Sequence, residues 1–287
     1  MLTAVTLFWA SSFILIKVGL QGVSPLTFAV LRFVIASMAL LPILPLTGGM
    51  DALRSSSNLD RLRFVVLGLC GVTFFNVLQF VGLSLTTATN ASILLNTNPI
   101  FISVLSLVFL GERLKLSNGF GITLALIGII TVMSGGRLSS AAFSSSTFSG
   151  DLLIVGSAVC WAIYTVLGKS VLERYRPMAV TIINMAIGTF FLLVIALAVE
   201  DLGIATRVSA EVWVIILYLA FFCSGLAYIL WYESLSDLAA SRAGAFLFTI
   251  PVYTTLMAHF AIGEAITGST VIGTALVIIG VYLAEKV

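Results

Sequence analysis

Apolar residues run along this chain in blocks of about twenty, and polar residues fall either in short clusters between the blocks or singly inside them. At about 1.5 Å per residue, a helical block of that length covers a hydrocarbon core of about 30 Å. The pattern predicts ten transmembrane helices, at roughly 2–21, 25–46, 62–83, 88–110, 117–134, 151–170, 177–199, 211–234, 239–260 and 268–285, called segments one to ten below. The expected fold is an all-α polytopic membrane protein, with no room for a soluble domain between the blocks. Segment four departs from the apolar pattern. Residues 94–101 read LLNTNPIF, so Asn96, Thr97, Asn98 and Pro99 interrupt it about halfway along.

A Ser- and Gly-rich stretch, GGRLSSAAFSSSTFSG at 135–150, divides the chain near its middle and prompts a search for a repeat. A shift of 152 positions superposes Trp9 on Trp161, Lys17 on Lys169, Pro25 on Pro177, Ser84 on Ser236, Thr97 on Thr249, Pro99 on Pro251, and Gly111-Glu112 on Gly263-Glu264, with no gap. Gly121 and Gly128 fall on Gly273 and Gly280 in the same way. Shared hydrophobicity does not explain paired prolines and paired Gly-Glu dipeptides. The expected organisation is a five-helix unit at 1–134, a linker at 135–150 and a second five-helix unit at 151–287. Five is odd, so the second unit should cross the membrane upside down relative to the first. Inverted repeats of this kind serve alternating access around a site near the bilayer midplane.

That symmetry gives the interruption in segment four a meaning. Pro99 and Pro251 hold matched places, and each removes a backbone donor and displaces the carbonyl four residues earlier, at Leu95 or Leu247. Lipid cannot satisfy such a carbonyl, so the kink belongs against protein or water. Thr89, Ser92, Asn96, Pro99, Ser103 and Ser106 recur at steps of three or four and form a polar stripe on segment four. On segment nine the matching stripe is Ser241, Gly244, Phe248, Pro251, Thr255 and Ala258. Close helix packing through small residues is the alternative use of both stripes, and it accounts least well for Asn96.

Segments three and eight supply a second matched pair of walls, Asn76 with Gln79 and Tyr228 with Trp231. Segments one and six supply a third, Trp9 with Ser12 and Trp161 with Tyr164. Amides offer donors and acceptors, and the aromatic residues offer apolar surface with one polar handle. Interhelical hydrogen bonding and lipid-facing packing are the alternatives for single residues. Convergence of all three pairs favours a cavity lined by Trp9, Ser12, Asn76, Gln79, Asn96, Pro99, Trp161, Tyr164, Tyr228, Trp231, Phe248 and Pro251.

Composition agrees with membrane residence: 60% of residues are hydrophobic, 9% are charged and the mean hydropathy is +1.18, against about 25% charged in soluble domains. A net charge of +2 gives no reason to expect a nucleic-acid partner. Its distribution is more informative. With a cytoplasmic N-terminus, Arg54, Arg61, Arg63, Arg113, Lys115, Arg174, Arg176 and Lys286 fall inside and only Arg137 and Arg207 outside, so both termini are expected in the cytoplasm of a cell with this protein in its inner or plasma membrane. The N-terminal residues lack a basic stretch and a cleavage site, so segment one is expected to be retained. Cys70, Cys160 and Cys223 lie inside segments and are expected to act as small apolar side chains.

With these residues in view, the chain resembles a known family. LFWASSFILIKVGL followed by SPLTFAVLRF, NPIF followed by FLGERL, and IPVY followed by AIGEAIT are similar to the paired EamA domains of the ten-helix drug/metabolite transporter superfamily. The resemblance covers the whole chain, one domain per repeat. It implies a central cavity lined by segments one, three, four, six, eight and nine, and a function in exporting amino acids, aromatic ones among them, or other small metabolites. Distant relatives, the small multidrug resistance antiporters, carry a membrane glutamate in their first helix for proton exchange. Segment one has none.

Several charged residues need separate treatment. Arg32 lies eight positions into segment two, where an intramembrane charge is a functional candidate by default; because that helix is outside the expected cavity wall, a structural role bonded to carbonyls or an aromatic face is the favoured reading. Lys17 and Lys169 are expected to snorkel, Glu112 and Glu264 to cap or tie loops, and His259 to pack as a neutral imidazole. One histidine and no intramembrane acid pair exclude a zinc site and an aspartyl dyad, and no phosphate-cradling Gly-rich loop is present. The sequence therefore predicts no cofactor, no metal and no enzymatic activity. It predicts a carrier of small neutral or zwitterionic molecules, most readily apolar or aromatic amino acids, working by facilitated diffusion or exchange. The alternatives are export of hydrophobic drugs or other metabolites, or a channel or membrane receptor. Lipid and a small-molecule substrate are the expected partners, and the sequence does not specify an oligomeric state.

Overall fold

The computed structural model describes residues 1–98, 100–102, 104–105, 116–133, 147–203, 208–238, 246–247 and 249–285. Every regular element among the described residues is helical. This follows from the solvent: a backbone in hydrocarbon must satisfy its own polar groups, and a helix does so within one segment. Among the described residues, six helices are long and apolar enough to cross a membrane: Leu2–Gly19, Pro25–Thr47, Asn58–Leu85, Phe148–Leu172, Pro177–Val199 and Ala210–Asp237. They are segments one, two, three, six, seven and eight. Shorter apolar helices occupy Thr123–Val132, Thr249–Ile262 and Gly268–Gly280, in segments five, nine and ten. Pro99, Ser103 and Ser106 of the segment-four stripe lie outside the described residues, as do Ser241, Gly244 and Phe248 of segment nine.

Local chemistry sets the helix ends. Segments two and seven start at Pro25 and Pro177, each preceded by a residue in extended conformation, which suits a ring that fixes φ and lacks an N–H needed only further inside the helix. Segments three, four and eight start behind hydroxyl caps: Ser57 accepts from the Asp60 N–H, Thr87 from Asn90 and Ser209 from Val212. Segment two tightens into a 3₁₀ turn at Leu41–Thr47, where Pro42 and Pro45 deny the α-helical pattern its donors, and stops at Gly48 in the left-handed region.

Segments three and eight each contain a π-helical turn, at Leu69–Phe74 and Leu219–Leu226. Nothing in the hydrophobic pattern announces these turns, because both runs stay apolar throughout. The wider turn presents carbonyls to neighbouring helices. Gly71 O accepts from the Tyr228 hydroxyl at 3.2 Å, and Cys223 O accepts from Trp9 Nε1 at 3.1 Å. Segments five and ten lie against each other so closely that a Cβ on Gly280 would come within 2.4 Å of the Ala125 nitrogen. Small residues permit this approach, which gives helices in lipid their dispersion contact. Outward-facing residues such as Phe260, Phe190, Leu197 and Val214 stay exposed, as a lipid-facing surface requires.

Candidate functional site

The expected break in segment four is real. Its helix runs Ala88–Leu95, turns at Asn96 and Thr97, and is helical again at Asn98. Thr97 closes the turn by donating its hydroxyl to Leu94 O at 2.6 Å, so the chain loses regular pitch without losing all of its hydrogen bonds. The break turns Asn96 and Asn98 toward a partly open cavity, whose space free of protein atoms, about 530 Å³, includes open solvent. The lining includes Trp9, Ser12 and Phe13 from segment one, Phe75 and Gln79 from segment three, Ser92, Leu95, Asn96 and Asn98 from segment four, Trp161 from segment six, Tyr228 from segment eight, and Leu247 and Ile250 from segment nine.

The aromatic residues form one interlocked cluster. Trp9 and Trp161, equivalent under the 152-residue shift, meet edge to face with ring centroids 5.2 Å apart. Tyr228 packs edge-on against both, at 6.2 and 5.5 Å, and Phe75 lies 5.0 Å from Trp161. Such T-shaped contacts place positive ring edges against negative faces. Hydrogen bonds fix some of these rings and leave others free. Trp9 and Tyr228 donate to the π-turn carbonyls, whereas the buried Trp161 Nε1 has no acceptor. Asn96 leaves both amide atoms unpartnered, and Asn98 leaves its amide oxygen unpartnered. Gln79 also lines the cavity.

Six predicted residues therefore meet around the cavity: Trp9, Ser12, Gln79, Asn96, Trp161 and Tyr228. Four others sit behind the wall. Asn76 donates its amide to Val72 O at 2.7 Å. Tyr164 stacks on Tyr232 at 4.8 Å, and Trp231 backs Trp9 at 5.5 Å. Pro251 is buried next to the lining residue Ile250. Pro99 and Phe248 lie outside the described residues.

The charged residues bring one correction. Arg32 lines the cavity and is 4% exposed, although segment two was expected to stand outside its wall. A side chain this long reaches past its own helix, and periodicity, which marks the direction of Cβ, cannot show that reach. Arg32 Nε donates to Ser224 Oγ at 2.6 Å, and its guanidinium carbon lies 5.1 Å from the Phe33 ring centroid and 5.9 Å from that of Phe80. Lys17 and Lys169, both part-buried, are tied to carbonyls at the ends of segments three and eight. Lys17 Nζ donates to Leu83 O and Thr86 O, and Lys169 Nζ donates to Leu235 O and Leu238 O, the same pair of positions shifted by 152. Glu264 caps segment four by accepting from Ala88 N and Thr89 N at 2.7 and 3.0 Å; Glu112 lies outside the described residues. His259 is exposed rather than packed, and its Nδ1 lies 3.0 Å from Glu264 O. Among the described residues, no group of His, Cys, Asp and Glu side chains could hold a metal ion.

Comparison with known proteins defines the class. The EamA-like transporter family matches residues 1–134 and 148–285, so the chain belongs to that family and is a membrane transporter. It is similar to an uncharacterized transporter of Archaeoglobus fulgidus, 37% identical over 285 residues that cover 99% of this chain and 95% of that one. The uncharacterized transporter YyaM of Bacillus subtilis is 32% identical, covering 100% and 93% of the two chains. A protein of Streptantibioticus cattleyicolor named a probable terminal-alkyne amino-acid exporter is 29% identical, covering 99% and 91%. A solved crystal structure superposes with a TM-score of 0.66 at 20% identity, covering 98% of this chain and 93% of the other, which supports the fold alone.

Proposed function

We propose that the protein is an alternating-access carrier that exports small neutral or zwitterionic metabolites, most readily apolar or aromatic amino acids, across the cell membrane. The observation that carries this reading is the cavity. It is walled by aromatic rings and supplied with amide and indole groups that have no hydrogen-bond partner among the described residues. Buried polar atoms in native proteins are nearly always paired, so a group of unpaired ones around one space marks a place for a ligand or water.

The working arrangement is ten crossings in two inverted five-helix units, 1–134 and 151–287, with both termini cytoplasmic. Recurrence of the lysine–carbonyl contacts at the 152-residue shift supports it, as do the matched π turns and the match of the family to both halves. Lining residues come from both halves, as a site between two rocking units requires. Transport without obligatory ion coupling accords with the lining, in which no carboxylate occurs among the described residues. The relative named a probable terminal-alkyne amino-acid exporter supports the substrate class by likeness.

Counterflow in proteoliposomes tests the proposal. Labelled phenylalanine should enter vesicles preloaded with unlabelled phenylalanine, saturably and with no ion gradient imposed; linear, non-exchanging flux points to a channel and overturns the carrier. Cysteines at positions 56 and 173, in a cysteine-free background, should label from the cytoplasm and one at position 145 from outside. Cytoplasmic labelling at 145 removes both the topology and the inversion.

A further inference from the structure

Arg32 differs from the two lysines held at the segment ends. Lys17 and Lys169 each donate to two backbone carbonyls, which is how a structural cation is held where lipid excludes water. Arg32 is 4% exposed, yet its one hydrogen bond runs from Nε to Ser224 Oγ. Its two terminal nitrogens have no acceptor among the described residues, and neither ion pair there involves it. The Phe33 and Phe80 rings offset part of the charge but accept no hydrogen bond in the guanidinium plane. A buried guanidinium without an anion is costly, and Arg32 is among the residues that line the cavity.

We propose that Arg32 holds the carboxylate of the transported molecule, so that the cavity selects carboxylates with an apolar or aromatic body and discriminates against their amides. This rests on the carrier reading above and deepens it. The Ser224 contact pins Nε and leaves the fork of Nη1 and Nη2 to pair with two carboxylate oxygens, a planar match that lysine cannot make. The unpartnered amide oxygens of Asn96 and Asn98 line the same space and can accept from an ammonium group. Trp9, Phe13, Phe75 and Trp161 form an apolar wall for the side chain. Arg32 is the one cation among the described lining residues, so a carboxylate, with a single charge, fits better than a phosphate dianion.

Binding to the purified full-length protein decides the matter, read by quenching of tryptophan fluorescence, since Trp9 and Trp161 line the site. Phenylalanine and 3-phenylpropionate should bind, and phenylalaninamide should bind at least tenfold more weakly. Arg32→Gln should weaken phenylalanine at least tenfold and leave phenylalaninamide unchanged, with Arg32→Lys in between. Equal binding of phenylalanine and its amide to the unaltered protein overturns the proposal, and that comparison does not depend on any variant folding. Counterflow separates the two readings: saturable counterflow that ignores the carboxylate keeps the carrier and removes the Arg32 assignment. Carboxylate discrimination without counterflow does the reverse, and no binding by any of the three probes overturns the assignment outright.

Discussion

The ends of the segments and the middle of the cavity treat their polar groups in opposite ways. At the ends, Glu200 accepts from Ser24 Oγ, Leu26 N, Thr27 N and Thr27 Oγ1, and Glu264 accepts two backbone N–H groups at the start of segment four. In the middle, Asn96, Asn98 and Trp161 have atoms with no partner among the described residues, and Arg32 makes its one hydrogen bond there through Nε. Helix starts carry unsatisfied N–H groups, so a carboxylate placed there stabilises the fold directly. An unpaired amide in the centre does the reverse, and it persists only where something other than folding retains it. On the proposed function, the contrast separates residues that build the fold from residues that serve a substrate.

Trp161 belongs to both groups, and its removal should give the largest effect. It is 3% exposed and touches Trp9, Phe75, Tyr164, Tyr228 and Trp231. Trp161→Ala should cost about 3–5 kcal/mol of stability, the usual range for a buried aromatic, and abolish phenylalanine binding as well. Thermal unfolding in detergent with parallel binding measures both. Unchanged stability would mean that the cluster is held from elsewhere, and the division between ends and centre would need redrawing.

Glu200→Ala should come next and touch stability alone. It strips four donors at the start of segment two of their acceptor, a loss of about 1–2 kcal/mol for a helix cap. Phenylalanine affinity should not move. A parallel loss of affinity would show that the segment ends are coupled to the cavity and would blur the contrast.

Periodicity and the repeat made much of this legible in advance. Where both ends of a segment are described, apolar blocks placed them to within a few residues, and segment seven at Pro177–Val199 matches its expected limits at both ends. The LLNTNPIF interruption pointed to the break and to Asn96, because polar residues within an apolar run need a reason. Three features were not legible. The π turns leave no compositional mark, since an extra residue in an apolar run is still apolar. Arg32 reaches the cavity from a helix whose Cβ direction does not predict it. The lysines were read by charge and depth, which suggest snorkelling, whereas their partners are carbonyls 66 and 69 residues away that no local pattern connects to them.

Asn96→Ala should reverse the Glu200 result. Loss of one hydrogen bond to substrate costs about 0.5–1.5 kcal/mol, roughly two- to tenfold in affinity. Stability should stay the same or rise slightly, because both amide atoms are already unpartnered in the folded protein and their removal abolishes a desolvation cost. Titration of phenylalanine against this variant, with its unfolding midpoint, checks both halves. Destabilisation with intact binding would reassign Asn96 to the framework.

The smallest expected effect is a pH dependence confined to one end. Burial raises the pKa of the Glu200 carboxyl, but hydrogen bonds from Ser24 Oγ, the Leu26 and Thr27 N–H groups and Thr27 Oγ1 outweigh it and hold the pKa below its ordinary value of 4.5. A carboxyl whose pKa is lower folded than unfolded contributes stability above the unfolded value and loses it as pH falls through the folded one. Acidification below about pH 4.5 should therefore lower the unfolding midpoint of the unaltered protein more than that of Glu200→Gln. The gap between the two should be small, since the carboxylate is only partly buried and water screens its interactions. Unfolding curves collected between pH 7 and pH 3.5 measure it. If the two proteins lose stability in parallel, ionisation of Glu200 contributes nothing beyond what a neutral amide supplies, and geometry rather than charge holds the start of segment two.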